Sequence, residues 1–264
     1  MTKHEPTFSF GKNWEEFIQK HFTEERIAAS QEHLLDFLGM TNLEEKTFLD
    51  VGCGSGLSSL AAFKASAAQI VSFDVDPFSV KTTRYLRELH GNPENWTVLQ
   101  GSALDKDFME SLEAADILYS WGVLHHTGSM WEAIQNTMPL VRKGGVFYIA
   151  LYTTTRLSPF WIQVKKLYNR SPLLVKRTLE GTYIAAFIMS EAIRGKNPFR
   201  KIWGNQQGRG MEFLTDVRDW LGGWPYEDAT PEEVQNFFEQ HHFTMSKVKT
   251  GEANTEYLFE PQGF

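Results

Sequence analysis

The chain has 264 residues, a formal net charge of −7, 42% hydrophobic and 22% charged residues, the balance of an ordinary soluble globular chain with room for a large core. No apolar run approaches the roughly 20 residues that span a bilayer. The single cysteine, Cys53, excludes an internal disulfide and a cysteine-based zinc cluster. With an opening Met1–Pro6 that lacks a signal-peptide apolar core, it predicts a reducing, cytoplasmic setting.

In chain order, Phe8-Ser9-Phe10-Gly11-Lys12-Asn13-Trp14 leads into an amphipathic helix running through Ile27. A short strand, Thr47–Val51, then meets glycines at alternate positions, Gly52, Gly54 and Gly56, before a helix over Leu57–Ala65. Such glycines permit positive-φ turns and let a ligand approach the backbone without Cβ interference. The next apolar run, Gln69–Phe73, ends in Asp74-Val75-Asp76-Pro77. An acidic side chain about twenty residues after a glycine turn is where a ribose with two free hydroxyls is held. These residues predict a nucleoside-containing cofactor. Leu57 stands where a dinucleotide fingerprint has its third glycine, and Asp50 lies just inside the strand. Nothing need cradle a pyrophosphate, and acidic groups at the loop suit a cationic ligand better than a nicotinamide or flavin dinucleotide.

The stretch Phe48-Leu49-Asp50-Val51-Gly52-Cys53-Gly54-Ser55-Gly56 resembles the first motif of the class I S-adenosylmethionine-dependent methyltransferases. The resemblance implies S-adenosylmethionine as cofactor, with no metal, held by Asp50, Gly52, Cys53, Gly54, Gly56, Asp74 and Val75. Cys53 reads as a small turn residue rather than a reactive thiol. Asp76, followed by Pro77, reads as a helix cap. Many members carry an acid for the adenine amino group after the third strand, Trp96–Gln100. Here Ser102 takes that place, so Ser102 and the backbone of Ala103 are the adenine candidates, while Asp105 reads as a capping or surface carboxylate. Similar enzymes fold an N-terminal segment over the cofactor, which makes Trp14 a candidate donor to the methionine carboxylate. A hydrophobic anchor on the sheet is the other reading of Trp14.

Strand-like runs continue at Asp116–Ser120 and Val146–Tyr152, separated by amphipathic segments Ser79–His90, Asp107–Ala114 and Met130–Val141. Gly144-Gly145 is read as the turn into the fifth strand. That alternation predicts parallel strands with crossover helices. Two late strands, Thr244–Lys249 and Glu256–Glu260, fit the antiparallel hairpin that closes the family's sheet. The expected fold is α/β: a doubly wound, mostly parallel seven-stranded sheet with a C-terminal antiparallel hairpin, an N-terminal helical lid and a helical insertion after strand five. The expected divisions are a lid over 1–46, a cofactor-binding core over 47–155, an insertion over 156–230 and the closing helix and hairpin over 231–264.

After the fourth strand comes Ser120-Trp121-Gly122-Val123-Leu124-His125-His126-Thr127-Gly128, which resembles the segment of small-molecule methyltransferases where the methionine end of the cofactor meets substrate. Trp121 is assigned to the cofactor. His125 and His126 are the candidate bases for an in-line displacement at a sulfonium methyl, and helix capping or backbone bonding is the competing role. No N-P-P-[YFW] sequence occurs, which argues against amide or adenine N-methylation.

From Arg156 to Arg209 there are eleven Lys or Arg residues against Glu180 and Glu191, a local +9 that leaves −16 elsewhere. Trp161, Tyr168, Tyr183, Phe187, Phe199 and Trp203 are interleaved with them. Four readings compete: a lid attracting an anionic small substrate, a surface for anionic membrane or a partner protein, a nucleic-acid groove, and a merely solvated face. The acidic remainder argues against nucleic acid. The following Trp220-Leu221-Gly222-Gly223-Trp224-Pro225-Tyr226 is read as a shaped loop at the substrate mouth. Arg209, Asp219 and Trp220 are the specificity candidates, against a turn that simply packs on the core. A bacterial group of class I methyltransferases of poorly defined substrate is similar over nearly the whole chain. The expected function is methyl transfer to an oxygen or nitrogen of a small, anionic or sugar-, lipid- or phenol-like metabolite. The alternatives are a methyltransferase modifying a protein or RNA, and a non-enzymatic cofactor-binding protein.

Overall fold

The computed structural model describes residues 11, 23–203, 213–251 and 253–263. A seven-stranded sheet has the order β3-β2-β1-β4-β5-β7-β6. Its strands are β1 (Thr47–Val51), β2 (Gln69–Asp74), β3 (Trp96–Gln100), β4 (Ala115–Trp121), β5 (Val141–Tyr152), β6 (Phe243–Thr250) and β7 (Asn254–Pro261). The β3-β2-β1-β4-β5 block is parallel, and β7 runs antiparallel to both β5 and β6. The expected mixed sheet with its C-terminal hairpin is therefore the one observed.

Strands buried on both faces send alternate side chains into two cores. Phe48, Ile117 and Tyr148 point to one, which α1 (Glu24–Leu38), α2 (Leu57–Lys64) and α3 (Pro77–Leu89) cover with Leu34, Phe37, Leu60 and Leu86. Leu49, Leu118 and Phe147 point to the other, beneath α5 (Met130–Thr137) and α10 (Pro231–Gln240). Local signals fix the helix starts. Asp76 caps α3 by accepting from the Phe78 amide, with Pro77 in the first turn, and Asp105 caps α4 (Lys106–Glu110) in the same way. Thr230 and Glu233 form a reciprocal capping box on α10.

Several boundaries differ from expectation: the first helix continues past Ile27 to Leu38, and the one expected over Asp107–Ala114 ends at Glu110. The fifth strand starts at Val141, so Gly144-Gly145 lies inside it. A Cβ on Gly145 would stand 2.7 Å from the Asp116 carbonyl, and the β4–β5 register shifts between Ala115 and Ile117. These glycines serve a close strand approach at an irregularity, a context that sequence alone does not distinguish from a turn. The helix expected over Met130–Val141 ends at Thr137, because Pro139 sits in a short 3₁₀ turn, Met138–Leu140. Trp220, Leu221 and Gly222 form the end of α9 (Phe213–Gly222) rather than a loop, and the chain then turns through a cis Trp224–Pro225 bond.

Between β5 and α10 lie α6 (Ser158–Arg170), α7 (Leu173–Ile193), α8 (Pro198–Trp203) and α9. They build a small cluster of their own, with Tyr168, Phe213, Val217 and Leu221 buried and Trp161, Tyr183 and Phe187 packed around them.

Candidate functional site

The crossovers leave β1 in opposite directions along the sheet, so the carboxyl ends of β1 and β4 open a crevice at the topological switch point. A cavity of about 1400 Å³ occupies it, bordered by the glycine turn, the ends of β2 and β4, α1, β7 and the inner side of the inserted helices. Small-ligand sites typically take about 300–1,000 Å³, so the space admits a cofactor and a second molecule together.

The glycine turn is held by the neighbouring strand: the Gly52 and Cys53 amides both donate to the Phe73 carbonyl, at 2.9 Å. Gly52 has φ 77° and lies so close to Val123 that a Cβ would come within 2.2 Å of its side chain. Across the turn, Asp74 accepts from the Gly54 amide at 2.9 Å through one oxygen and from the Asp76 amide at 2.9 Å through the other. Burial lifts its carboxyl to about 6 against these two bonds. Each oxygen keeps a further acceptor site, so a pinned carboxylate at the cavity wall fits a ribose diol.

Asp50 also borders the cavity, at the end of a buried chain in which Trp96 donates to Ser72, Ser72 pairs with Ser59, and Ser59 donates to Asp50. Burial raises Asp50 to about 7, and nearby Asp74 adds to the rise. The Cys53 thiol is pushed well up by burial and accepts from Thr83 at 3.3 Å, which makes it an inert turn residue.

On the presumptive adenine side, Val75 is 66% exposed and borders the cavity with Ser102 and Leu104. The Ser102 hydroxyl accepts from the Leu104 amide at 3.2 Å. Ala103 does not border the cavity. It is buried, and its carbonyl accepts from Asn136 of α5 at 3.0 Å.

Trp121, Gly122 and Val123 line the cavity, followed by a 3₁₀ turn over Leu124–His126 that sends the two histidines different ways. His125 is fully buried under Tyr152, with ring centroids 3.9 Å apart, and its Nδ1 accepts the Tyr152 amide at 3.3 Å. Burial, then His126 and Lys165, hold it well below the ordinary histidine value. It does not border the cavity, so the base role expected of His125 has no access to a substrate. His126 does border it. Its Nδ1 donates to the Pro225 carbonyl at 2.6 Å, which leaves Nε2 as an acceptor. Burial and the Lys165 charge lower His126 to about 3, so the ring is neutral in ordinary buffers.

Lys165, one of the eleven cations of the insertion, is fully buried. Its Nζ donates to the Trp220 carbonyl and lies 4.4 Å, 4.9 Å and 5.4 Å from the ring centres of Trp220, Tyr226 and Tyr152. Burial lowers it to about 7, with Asp219 opposing.

Two cavity residues escaped the sequence reading. His33 of α1 places Nε2 3.2 Å from Glu256 of β7, and Tyr148 donates to the same carboxylate. Burial alone would raise Glu256, but the bonds from His33 and Tyr148, and positive charge on His33 when it is protonated, bring it down to about 2. The available signal was an acid directly before the apolar run Tyr257-Leu258-Phe259.

Toward the insertion the wall carries the rings of Tyr152, Trp161, Tyr183, Trp220, Trp224 and Tyr226, with the polar side chains of Thr153, Thr155, Asp216 and Asn254 between them. Asp219 borders the cavity beside Trp220, and among the described residues no Lys or Arg does. The described cations of the insertion thus give no lining charge for an anionic substrate. Trp14 and Arg209 lie outside the described residues.

Residues 49–147 match a family model described as a methyltransferase domain. Ribosomal protein L11 methyltransferase of Photorhabdus laumondii is 34% identical over 84 residues, 32% of this chain and 28% of that protein. Its counterpart from Pasteurella multocida is 27% identical over 124 residues, 47% of this chain and 40% of that protein. The matches thus span less than half the length of these relatives. Among solved structures, magnesium protoporphyrin IX methyltransferase from Synechocystis PCC 6803 with bound SAH superposes with a TM-score of 0.56 at 12% identity, covering 95% of this chain and 94% of that one. An O-methyltransferase family protein from Burkholderia thailandensis gives 0.56 at 13%, covering 96% and 59%. At such identities the likeness is one of fold. Residues 49–147 thus carry the match to a methyltransferase domain, and the chain as a whole shares the fold of these solved methyltransferases.

Proposed function

We propose that this protein transfers the methyl group of S-adenosylmethionine to an oxygen or nitrogen of a small acceptor with a flat, aromatic body. The carrying observation is the ring-rich wall, without Lys or Arg among the described residues, that continues from the glycine turn within one cavity. Rings on several sides favour a planar apolar acceptor, and desolvation inside them disfavours a free anion. This narrows the expected metabolite to its phenol-like form.

When bound, the cofactor supplies an electrophilic sulfonium methyl. Asp74 holds the ribose hydroxyls, and its negative charge favours a cation at the turn. Proton removal falls to His33. With its Nε2–H directed at Glu256, neutral His33 keeps a lone pair on Nδ1, and the imidazolium formed on proton uptake faces the Glu256 carboxylate. His126, lowered to about 3, cannot retain a proton near neutrality and instead accepts a hydrogen bond through Nε2, orienting the acceptor.

The test is a screen of phenols, catechols, hydroxybenzoates and aromatic amines, scored by S-adenosylhomocysteine release and by mass of the methylated product. Turnover of at least one aromatic class supports the reading. The second reading, a protein acceptor as named for the L11 methyltransferases, takes its place if methyl label enters only protein.

A further inference from the structure

The outward side of the insertion is built unlike a solvated helix. On α7 one line of exposed positions falls at helical spacing, Leu174, Thr178, Gly181, Ala185, Met189 and Ile193, flanked by exposed Leu173, Val175, Ala186 and Ala192. Leu174, Met189 and Ile193 are 79%, 60% and 81% exposed. The two carboxylates of the segment point the other way: Glu180 is buried against Tyr168 and Arg177, and Glu191 is buried beside Arg194. A soluble surface helix turns its acids outward and its apolar stripe inward. Here the outer stripe has no charge between Arg177 and Arg194, and cations stand near both ends: Arg170, Lys176 and Arg177 at one, Arg194 and Lys196 at the other. Phe160 and Leu167 of neighbouring α6 add exposed apolar area.

We infer that α7 docks on an anionic phospholipid surface, its apolar stripe entering the acyl boundary and its end cations meeting headgroup phosphates. No described helix is long and apolar enough to cross a membrane, so the helix lies in the interface. Charge decides against a second copy of the chain. Two α7 helices paired face to face, parallel or antiparallel, would bring cationic end onto cationic end. It also decides against nucleic acid, whose phosphates would face an uncharged stripe about 30 Å long. The inference is independent of the acceptor and of methyl transfer itself.

The whole protein is sedimented with vesicles of phosphatidylcholine alone and of phosphatidylcholine mixed with phosphatidylglycerol. Retention is expected on the mixed vesicles at about 0.1 M salt, weakening about tenfold at 1 M as the Debye length falls from about 10 to 3 Å. The double variant Leu174→Glu/Ile193→Glu should lose at least about tenfold in partitioning while keeping the wild-type melting temperature and its shift with S-adenosylhomocysteine. Should that variant unfold, Arg170→Gln/Lys196→Gln supplies the independent arm, with a smaller loss confined to the anionic vesicles. Absence of binding to the mixed vesicles overturns the inference. So does binding that is equal on both vesicles and unmoved by salt, a dimer in light scattering that the Glu variant dissolves, or RNA retention that vesicles do not compete.

Discussion

The sheet and the inserted helices solve the same problem, shaping one cavity, by different means. On the sheet side the groups at the site are set by backbone geometry: two strand-end amides clamp the glycine turn on Phe73, and two more clamp Asp74. On the insertion side the wall is ring against ring, Tyr152 on Trp220 at 5.3 Å and Trp220 on Trp161 at 5.1 Å, over a small cluster. Backbone bonds fix position to fractions of an ångström, whereas rings packed edge to face define a volume and a chemical preference. A site divided in this way keeps its cofactor end constant while the acceptor end can be recut by changing rings.

The sharpest break in that comparison comes from the pair that joins α1 to β7. His33→Ala and Glu256→Gln should each lower kcat about 10²–10⁴-fold with cofactor affinity nearly unchanged. His126→Gln, which keeps an acceptor and a donor, should lose far less. Single-turnover kinetics with calorimetry on the same variants checks this. Comparable losses in His126→Gln and none in His33→Ala would transfer the base role to His126.

On the sheet side, Gly52→Ala forces a Cβ into Val123 at positive φ and should destabilise the fold by about 2–4 kcal/mol, read in urea melts. Asp74→Ala removes the ribose acceptors and should weaken S-adenosylmethionine by about 1.5–3 kcal/mol in calorimetry. Unchanged affinity in the Asp74 variant would show that the turn, not the carboxylate, carries the nucleoside. On the insertion side, Trp161→Ala should raise the acceptor KM by the equivalent of about 1–2 kcal/mol while the cofactor Kd holds. An equal effect on both constants would mean that the two regions do not act separately.

Legibility in the sequence follows the same divide. The glycine turn, Asp74, the Asp76 cap and the strand rhythm are local signals, each complete within a few residues of chain, and the fold follows from them. The His33–Glu256 pair joins opposite ends of the chain across the sheet, and no spacing rule connects a helix histidine to a strand acid. His125 and His126 were visible as a pair, but which ring turns inward depends on Tyr152 and on the Pro225 carbonyl. The +9 of the insertion was legible as a number and not as a direction, because Lys165 is buried, both acids face inward and no cation lines the cavity among the described residues.

Stability against pH separates the two regions most gently, by no more than about 1.4 kcal/mol per pH unit for each group. On the sheet side, burial raises Asp50 from 3.8 to about 7, so between those values the folded chain binds more protons than the unfolded one. Its contribution is fully present below the unfolded value and is lost as pH climbs toward 7. On the insertion side, burial lowers Lys165 from 10.5 to about 7, so between those values the unfolded chain binds more protons and stability rises with pH. The desolvation of the Lys165 charge is felt in full below 7 and disappears above its unfolded value. Asp50→Asn should therefore flatten the limb below pH 7 and leave the upper one, whereas Lys165→Met should flatten the limb above pH 7 and stabilise the protein most in mild acid. Urea midpoints collected from pH 5 to about 9.5 read both slopes directly. If Lys165→Met destabilised at pH 6 as much as at pH 9, the aromatic contacts and the Trp220 carbonyl would outweigh the cost of burying the charge. The insertion would then depend on a fixed electrostatic bond, as the sheet side does at Asp74.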